Sequence, residues 1–169
     1  CIRIIPYNSE GLYSAARVWW LFRAMGHRDV AVLDGGLKKW KAEGRPVTDD
    51  VTQLRTPRHF TARLHGELVR DKDDVMALLA SKTTTQIVDA RAPARFKGEA
   101  AEPRAGLRAG RIPGAKNVHY ATLLNADGSM KSEADLAALF KAAGVDVAKP
   151  VVASCGSGVT AGVVALALA

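Results

Sequence analysis

Two segments of the chain, residues 4–15 and residues 151–162, follow the same pattern at an offset of 147 residues, from Ile4 to Val151. Each begins with apolar strand-forming residues, passes through a short turn with a glycine, and continues into an alanine-containing helix. Asn8 in the first segment stands where Cys155 stands in the second. Because the offset is close to the length of an ordinary domain, the pattern predicts two related modules, one with a thiol and one without.

Short apolar runs alternate with segments whose apolar residues recur at helical spacing along the whole chain. This alternation is typical of a parallel sheet covered by helices on both faces, so we predict an α/β fold. The predicted strands are residues 3–7, 30–33, 86–89, 116–119 and 151–153. The predicted helices are residues 12–25, 37–43, 72–81 (with Asp71 as the cap), 132–143 and 159 to the end, and residues 92–114 are predicted to be a long ordered loop.

A predicted linker, residues 46–59, separates the two parts of the chain, because it holds two prolines and several threonines and charges but few large apolar residues. We predict that residues 1–45 are the back half of a non-catalytic module and that residues 60–169 are the front part of the catalytic module. Each module is expected to be incomplete. The first part continues through a strand and a helix that the second lacks, and the first part has no equivalent of residues 86–150.

Composition limits the class of protein. Apolar residues make up 48% and charged residues 24% of the 169 residues, which is typical of a globular protein. The net charge is +7, but the Lys and Arg residues are scattered and form no stripe interleaved with aromatic residues, so no nucleic-acid partner is expected. A basic pocket for a small anionic substrate explains the charge equally well. No apolar run is long enough for a transmembrane helix, so no membrane partner is expected.

The two cysteines, Cys1 and Cys155, lie at opposite ends of the chain. One disulfide between them is possible, but two cysteines make no disulfide framework, and we expect free thiols in a reducing, cytoplasmic compartment. No cluster of Cys and His has the spacing of a zinc site, so no metal is predicted. Each histidine is interpreted as an ordinary surface or loop residue; these are His27, His59, His65 and His119.

The turn at Cys155 has the features of a reactive thiol. A predicted strand ends there, Gly156 and Gly158 follow, and a helix begins near Val159. Backbone N–H groups of such a turn converge on one point, and the helix dipole adds partial positive charge. A thiol at that point is expected to have a lowered pKa. The same N–H groups can hold a transferred sulfur or an oxyanion, and the glycines permit the backbone angles that this requires. The alternative is a buried cysteine beside a helix, which is common in α/β cores.

The residues of this turn, Cys155-Gly156-Ser157-Gly158-Val159-Thr160-Ala161, resemble the active loop of the tandem-rhodanese sulfurtransferases, most closely the 3-mercaptopyruvate sulfurtransferases. Thiosulfate-specific members tend to carry basic side chains at the two positions after the cysteine. Glycine and serine stand there in this chain, which favours 3-mercaptopyruvate. Further segments resemble the same family, and they are residues 11–20, 33–36, 89–91, 95–98, 102–104 and 110–115.

The resemblance implies roles for individual residues. Cys155 matches the residue that forms a persulfide, and Ser157 matches the loop hydroxyl that the family uses in proton handling. Arg95 and Arg104 match the arginines that bind the carboxylate and keto groups of the substrate, a task suited to a planar guanidinium. The remaining substrate-binding positions are Gly156, Gly158, Val159 and Thr160.

Two positions depart from the family pattern. Arg111 stands where the family commonly has a histidine, which is expected to change local packing only. The catalytic Asp and His partners of the family come from the front of the first module, and no residues of this chain match them.

The activity that the resemblance implies is ping-pong sulfur transfer without a cofactor. A small anionic sulfur donor supplies the sulfur, and a thiol, cyanide or a thioredoxin-like protein accepts it. Two alternatives stay open: a thiosulfate sulfurtransferase and a non-catalytic rhodanese-like binding module. A phosphatase of the Cys-x5-Arg type is disfavoured because Ala161 occupies the position of the phosphate-binding arginine.

Overall fold

Three parallel strands form a sheet in the order β2-β1-β3 within the part of the chain that the structure describes. The computed structural model describes residues 3–51, 56 and 59–169. The strands are β1, Gln86–Asp89; β2, Lys116–Asn117; and β3, Val151–Ser154. In register, Val88 pairs with Lys116 on one side, and Gln86 pairs with Val151 on the other. The predicted α/β fold with a parallel sheet is confirmed.

Helices precede and follow these strands. They are α1, Ala15–Ala24; α2, Gly36–Ala42; α3, Lys72–Ala80; α4, Pro93–Lys97; α5, Glu133–Ala142; and α6, Val159–Ala167, with short 3-10 helices at Gly66–Leu68 and Tyr120–Leu123. The predicted cap of α3 is confirmed, since the Asp71 carboxylate accepts a hydrogen bond from the Asp74 amide at 2.9 Å. Ser132 caps α5 in the same way, through the Asp135 amide.

The strands predicted at residues 3–7 and 30–33 are reduced to a single parallel bridge between Ile4 and Val30. The Ala31 amide donates to the Ile4 carbonyl as part of this bridge, and one further hydrogen bond, from the Leu33 amide to the Pro6 carbonyl, keeps the segments side by side. Pro6 has no N–H group, so the ladder cannot continue through it, and the prediction of two full strands was wrong for this reason.

The prediction of a loop over residues 92–114 was also wrong in part, because α4 lies inside it. Pro93 occupies the first turn of this helix, where its missing N–H costs nothing, and Gly98 ends it in the left-handed conformation with φ of +81°. Proline and glycine were interpreted as loop residues, although here they mark the two ends of a short helix.

Helices α1 and α6 pack against each other and bring the first part of the chain onto the sheet of the second. Ala16 of α1 is fully buried in the same apolar cluster as Val88 of β1, Phe140 of α5 and Val163 of α6. Gly162 makes this approach possible, because a Cβ atom there would lie 2.9 Å from the backbone nitrogen of Arg17. The helix that follows the first of the two similar segments is therefore packed against the helix that follows the cysteine turn.

Polar contacts join the two parts at a second place. The Lys39 ammonium forms an ion pair with Asp127 at 2.6 Å, and the Met130 amide donates to the Asp34 carboxylate at 2.8 Å. Of the predicted linker, residues 52–55, 57 and 58 lie outside the described residues, as does Cys1. The described helices include none with both the length and the apolar character needed to cross a bilayer.

Candidate functional site

Cys155 lies directly after β3, at the carboxyl edge of the sheet. The preceding residue, Ser154, accepts a hydrogen bond through its carbonyl from the Ala90 amide at 2.8 Å, so the end of β3 is held beside the end of β1. Gly158 has φ of +78° and forms the N-cap of α6. A glycine is needed at this position because other residues rarely adopt that angle. We call residues 155–160 the cysteine loop.

The sulfur of Cys155 accepts several hydrogen bonds within the cysteine loop. The Gly158 amide nitrogen lies 2.9 Å from Sγ. Burial raises the pKa of the Cys155 thiol, but hydrogen bonds from the Thr160 side chain and from the backbone amides of Ser157, Ala161 and Gly158 lower the pKa by more. The pKa therefore lies below the ordinary value of a thiol, in the direction that the sequence predicted.

Other residues of the cysteine loop lie around the half-buried Cys155, which is a free thiol. Gly156 and Ser157 are exposed, and Val159 is the first residue of α6. Ser157 reaches the sulfur through its backbone amide. Its hydroxyl, to which the resemblance assigns proton handling, has no hydrogen-bond partner among the described residues.

Arg95 reaches the cysteine loop from α4. Its Nη2 atom would lie 2.7 Å from a Cβ atom built on Gly156, so a larger residue at this position would require the guanidinium to shift. The Glu102 carboxylate holds Arg95 in this position, with 2.6 Å between Nη2 and Oε2. Arg104, by contrast, is exposed, and within the described ranges its side chain has neither an ion pair nor a hydrogen bond. The structure places Arg95 beside Gly156, the residue that follows Cys155, and leaves Arg104 in solvent.

A buried ion network supports Arg95, and the sequence analysis assigned it no role. Arg91 binds Asp89 at the end of β1 and also binds Glu102 at 2.7 Å, and the side chains of Asp89 and Glu102 are only 3% and 5% exposed. The hydrogen bond from Arg95 and the nearby charges of Arg95 and Arg91 hold the pKa of Glu102 below its ordinary value. Asp89 and Arg91 belonged to a recognised segment, but the pattern did not indicate that Glu102 connects them to Arg95.

Arg17 is a second residue near the cysteine loop that the sequence analysis did not select. It belongs to α1, and its Nη1 atom donates to the Gly158 carbonyl at 3.3 Å. Arg17, Cys155 and Gly158 line an open groove of about 810 Å³ that follows β3 and α6. The local sequence pattern does not indicate that Arg17 contacts Gly158, because the two residues lie 141 positions apart in the chain.

His119 is a partly buried histidine. Burial lowers its pKa, which favours the neutral imidazole. Its ring contacts the Tyr120 ring edge-on, with 5.1 Å between centroids. Over the described parts of the chain, no three His, Cys, Asp or Glu side chains are grouped so that they could hold a metal ion.

A parallel strand that runs into a hydrogen-bonded cysteine at the start of a helix defines an α/β domain with a cysteine loop at the edge of its sheet. The model of the rhodanese-like domain matches residues 3–43 and 71–169. The chain therefore belongs to the rhodanese-like domain family.

Named relatives include two kinds of sulfurtransferase. Human 3-mercaptopyruvate sulfurtransferase is 43% identical over 163 residues, which cover 96% of this chain and 54% of the relative. The thiosulfate sulfurtransferase of Bos taurus is 42% identical over 167 residues, which cover 97% of this chain and 56% of the relative. This chain thus spans about half the length of these relatives.

A solved structure agrees with the fold. The crystal structure of SseA from Escherichia coli, described as a 3-mercaptopyruvate sulfotransferase with the rhodanese fold, superimposes with a TM-score of 0.84 at 40% identity. The match covers 98% of this chain and 61% of that structure.

Proposed function

We propose that the chain is part of a sulfurtransferase in which Cys155 takes a sulfur atom from 3-mercaptopyruvate and carries it as a persulfide. The observation that carries the proposal is the set of hydrogen bonds to the Cys155 sulfur, which lower the pKa of the thiol in spite of its burial. A thiolate is the nucleophilic form of cysteine, and at neutral pH a lowered pKa increases its fraction.

The proposed first half-reaction needs no outside oxidant. The Cys155 thiolate attacks the sulfur of 3-mercaptopyruvate, a sulfur–sulfur bond forms, and the carbon–sulfur bond breaks. The electron pair of that bond leaves with the carbon as the enolate of pyruvate, which then takes up a proton. Amides of the cysteine loop, including that of Gly158, remain as donors to the persulfide. In the second half-reaction a thiol, cyanide or a thioredoxin-like protein removes the outer sulfur.

Arg95 is proposed to bind the anionic end of the donor. Its guanidinium lies beside Gly156, and Glu102 occupies part of its hydrogen-bonding capacity. Arg104 is proposed as the second substrate arginine, and since its side chain lies in solvent, it would have to move toward the donor. Ser157 is proposed to handle a proton through its exposed hydroxyl. Gly156, Gly158, Val159 and Thr160 complete the proposed site as backbone and hydroxyl donors.

The donor preference is proposed from the two residues after the cysteine. Relatives of both kinds are nearly equally identical to the chain, at 43% and 42%, so identity alone does not choose between the donors. Gly156 and Ser157 bring no cation beside the sulfur, whereas the resemblance associates thiosulfate with basic residues at these positions. The same proposal includes the internal repeat at an offset of 147 residues and the linker at residues 46–59. It also includes a cytoplasmic location.

Mass measurement of the Cys155 peptide tests the proposal. We expect the 169-residue chain to gain one sulfur atom on Cys155 after exposure to 3-mercaptopyruvate, with release of pyruvate, and to gain much less from thiosulfate. The Cys155→Ser variant should gain none, and a peptide-resolved measurement keeps Cys1 separate. A preference for thiosulfate would assign the chain to the alternative donor. A folded chain that gains sulfur from neither donor would contradict sulfur transfer by these 169 residues.

Arginine variants test the proposed substrate contacts. Arg95→Met should lower the rate of persulfide formation at limiting donor by roughly tenfold or more, because a charge-assisted hydrogen bond to the carboxylate is lost. Arg104→Met should act in the same direction. Arg108→Met is the matched control, since Arg108 is an exposed arginine of the same segment without a proposed role. Equal rates for Arg95→Met and Arg108→Met would contradict the role of Arg95.

A further inference from the structure

Arg17 connects α1 to the cysteine loop. Its guanidinium lies over the ring of Trp20, with 4.6 Å between Cζ and the ring centroid. From this position its Nη1 atom donates to the carbonyl of Gly158 at 3.3 Å. The cation–π contact restricts the side chain to the conformation that reaches the cysteine loop.

Gly158 is the residue through which Arg17 reaches the sulfur. Its carbonyl accepts from Arg17, while its amide donates to the Cys155 sulfur at 2.9 Å. The Gly158 amide belongs to the peptide group that joins Ser157 to Gly158, and the Gly158 carbonyl belongs to the next group, which joins Gly158 to Val159. The hydrogen bond from Arg17 holds that second group directly, and it restricts the orientation of the amide through the backbone torsions of Gly158. A Cβ atom at position 158 would also collide with Nη1 of Arg17, so the space beside the loop is filled by the guanidinium.

A second glycine sets the backbone of Arg17. A Cβ atom on Gly162 would lie 2.9 Å from the Arg17 nitrogen and 3.0 Å from its Cα. The helices α1 and α6 therefore touch backbone to backbone at Arg17 itself. Gly162 thus faces the main chain of Arg17, and Gly158 faces its guanidinium. Two independent contacts therefore determine where this side chain lies.

We propose that Arg17 is a positioning residue for the cysteine loop: it holds Gly158 so that the Gly158 amide stabilises the Cys155 thiolate. The first part of the chain, residues 1–45, thereby contributes to the reactivity of Cys155. This inference rests on the proposed function, in which the thiolate is the attacking group. Arg17 and Cys155 also line the same groove.

The pH profile of Cys155 alkylation tests this role. The rate of reaction with iodoacetamide is measured from pH 5 to 10 by peptide-resolved mass spectrometry, which keeps Cys1 separate. In Arg17→Met the midpoint should move to higher pH, and the rate at pH 7 should fall roughly fivefold, the equivalent of about one net hydrogen bond. In Arg17→Lys, which keeps a charged donor, at least half of the loss should be recovered.

A matched control exists on the same helix. Arg23 lies over the ring of Trp19 at 5.0 Å, an arrangement like that of Arg17 and Trp20. Arg23→Met therefore removes an equivalent stacked arginine and should leave the pH profile unchanged. If Arg17→Met does not fold, Arg17→Gln replaces it, since its shorter neutral side chain does not span the distance to the carbonyl, and the same shift is expected.

Three results would overturn the inference. One is a folded Arg17→Met or Arg17→Gln with the wild-type profile. Another is Arg17→Lys that behaves like Arg17→Met, which would assign the effect to lost packing. The third is an equal shift in Arg23→Met. Failure of the proposed function gives a different result, because the wild-type chain would then gain no sulfur on Cys155 from either donor, whatever the pH profiles of the variants.

Discussion

Arg91 and Asp89, two residues apart at the end of β1, form a buried bidentate ion pair. Nη2 of Arg91 lies 2.6 Å from Oδ2 of Asp89, and Nε lies 3.0 Å from Oδ1. The same guanidinium also holds Glu102, which in turn holds Arg95 beside Gly156. The position of Arg95, the proposed substrate arginine, therefore depends on Arg91 and Asp89. Among the described residues, neither of these two forms a hydrogen bond with the cysteine loop.

Replacement of Arg91 should destabilise the fold. Arg91→Met leaves two buried carboxylates without their common partner, and the loss of one member of a buried ion pair typically costs about 3 kcal/mol. The free energy of unfolding in urea measures this effect. Arg3→Met is the control, because the ion pair between Arg3 and Asp29 is exposed and its loss should change stability little. Equal stabilities of the two variants would contradict the role of Arg91.

The contact between α1 and α6 predicts that Gly162→Ala lowers the free energy of unfolding, although replacing a helical glycine by alanine usually raises it. Helix propensity alone would make Gly162→Ala stabilising by about 1 kcal/mol. The new Cβ atom would lie 2.9 Å from backbone atoms of Arg17, however, and the helices would have to separate. We expect a net loss of about 2 kcal/mol in the free energy of unfolding. Gly66→Ala is the control, since a Cβ atom there meets nothing within 4 Å, and a stabilised Gly162→Ala would disprove the close approach.

Loss of the Thr160 hydroxyl should raise the pKa of Cys155. The Thr160 side chain donates a hydrogen bond that lowers this pKa, and Thr160→Val removes the donor with little change of shape. With a higher pKa, less of the thiol is ionised at pH 7, so alkylation at that pH should slow roughly fivefold. At a pH above the pKa of both forms the rates should converge. Thr122→Val, which removes a hydroxyl bonded to the His119 carbonyl, should leave the profile unchanged.

Asp127 should stabilise the fold in a pH-dependent way. Hydrogen bonds from the Lys39 side chain and from Ser129 hold the pKa of Asp127 well below its usual range. A lowered pKa in the folded state gives stability that is fully present above the ordinary carboxyl pKa of about 4 and is lost as the pH falls through the folded value. The difference in Tm between the wild type and Asp127→Asn should therefore be largest near neutral pH and shrink below about pH 4.

An exposed aspartate provides the comparison for Asp127. Asp49 is exposed, and its side chain has no ion pair or hydrogen bond within the described residues, so Asp49→Asn should have the wild-type Tm at each pH. A Tm difference for Asp127→Asn that stays constant between pH 7 and pH 2 would show that the contact with Lys39 does not depend on the carboxylate charge.

Elements with strong local signals were predicted well. The strand at residues 86–89 has two β-branched apolar residues at its centre and ends in Asp89, and the helix after Asp71 carries its capping residue at the expected position. The predictions were wrong where a residue type is common in two different kinds of structure. Pro93 and Gly98 are equally typical of a loop and of the ends of a short helix, and Pro6 occurs at the edge of a strand that it also interrupts. Contacts with residues that are distant in the chain decide which of these structures forms, and a local sequence pattern does not show such contacts.

The chemistry of Cys155 could be read from the sequence because its parts are adjacent in the chain. A strand, two glycines and a helix start place the amides of residues 157, 158 and 161 around one sulfur, whatever surrounds them. The choice of arginines was different, since the chain has 24 Lys and Arg residues and periodicity does not show which of them meet. Glu102 holds Arg95, and α1 brings Arg17 to Gly158 across 141 residues, because helices pack through backbone contacts that form only in the folded chain.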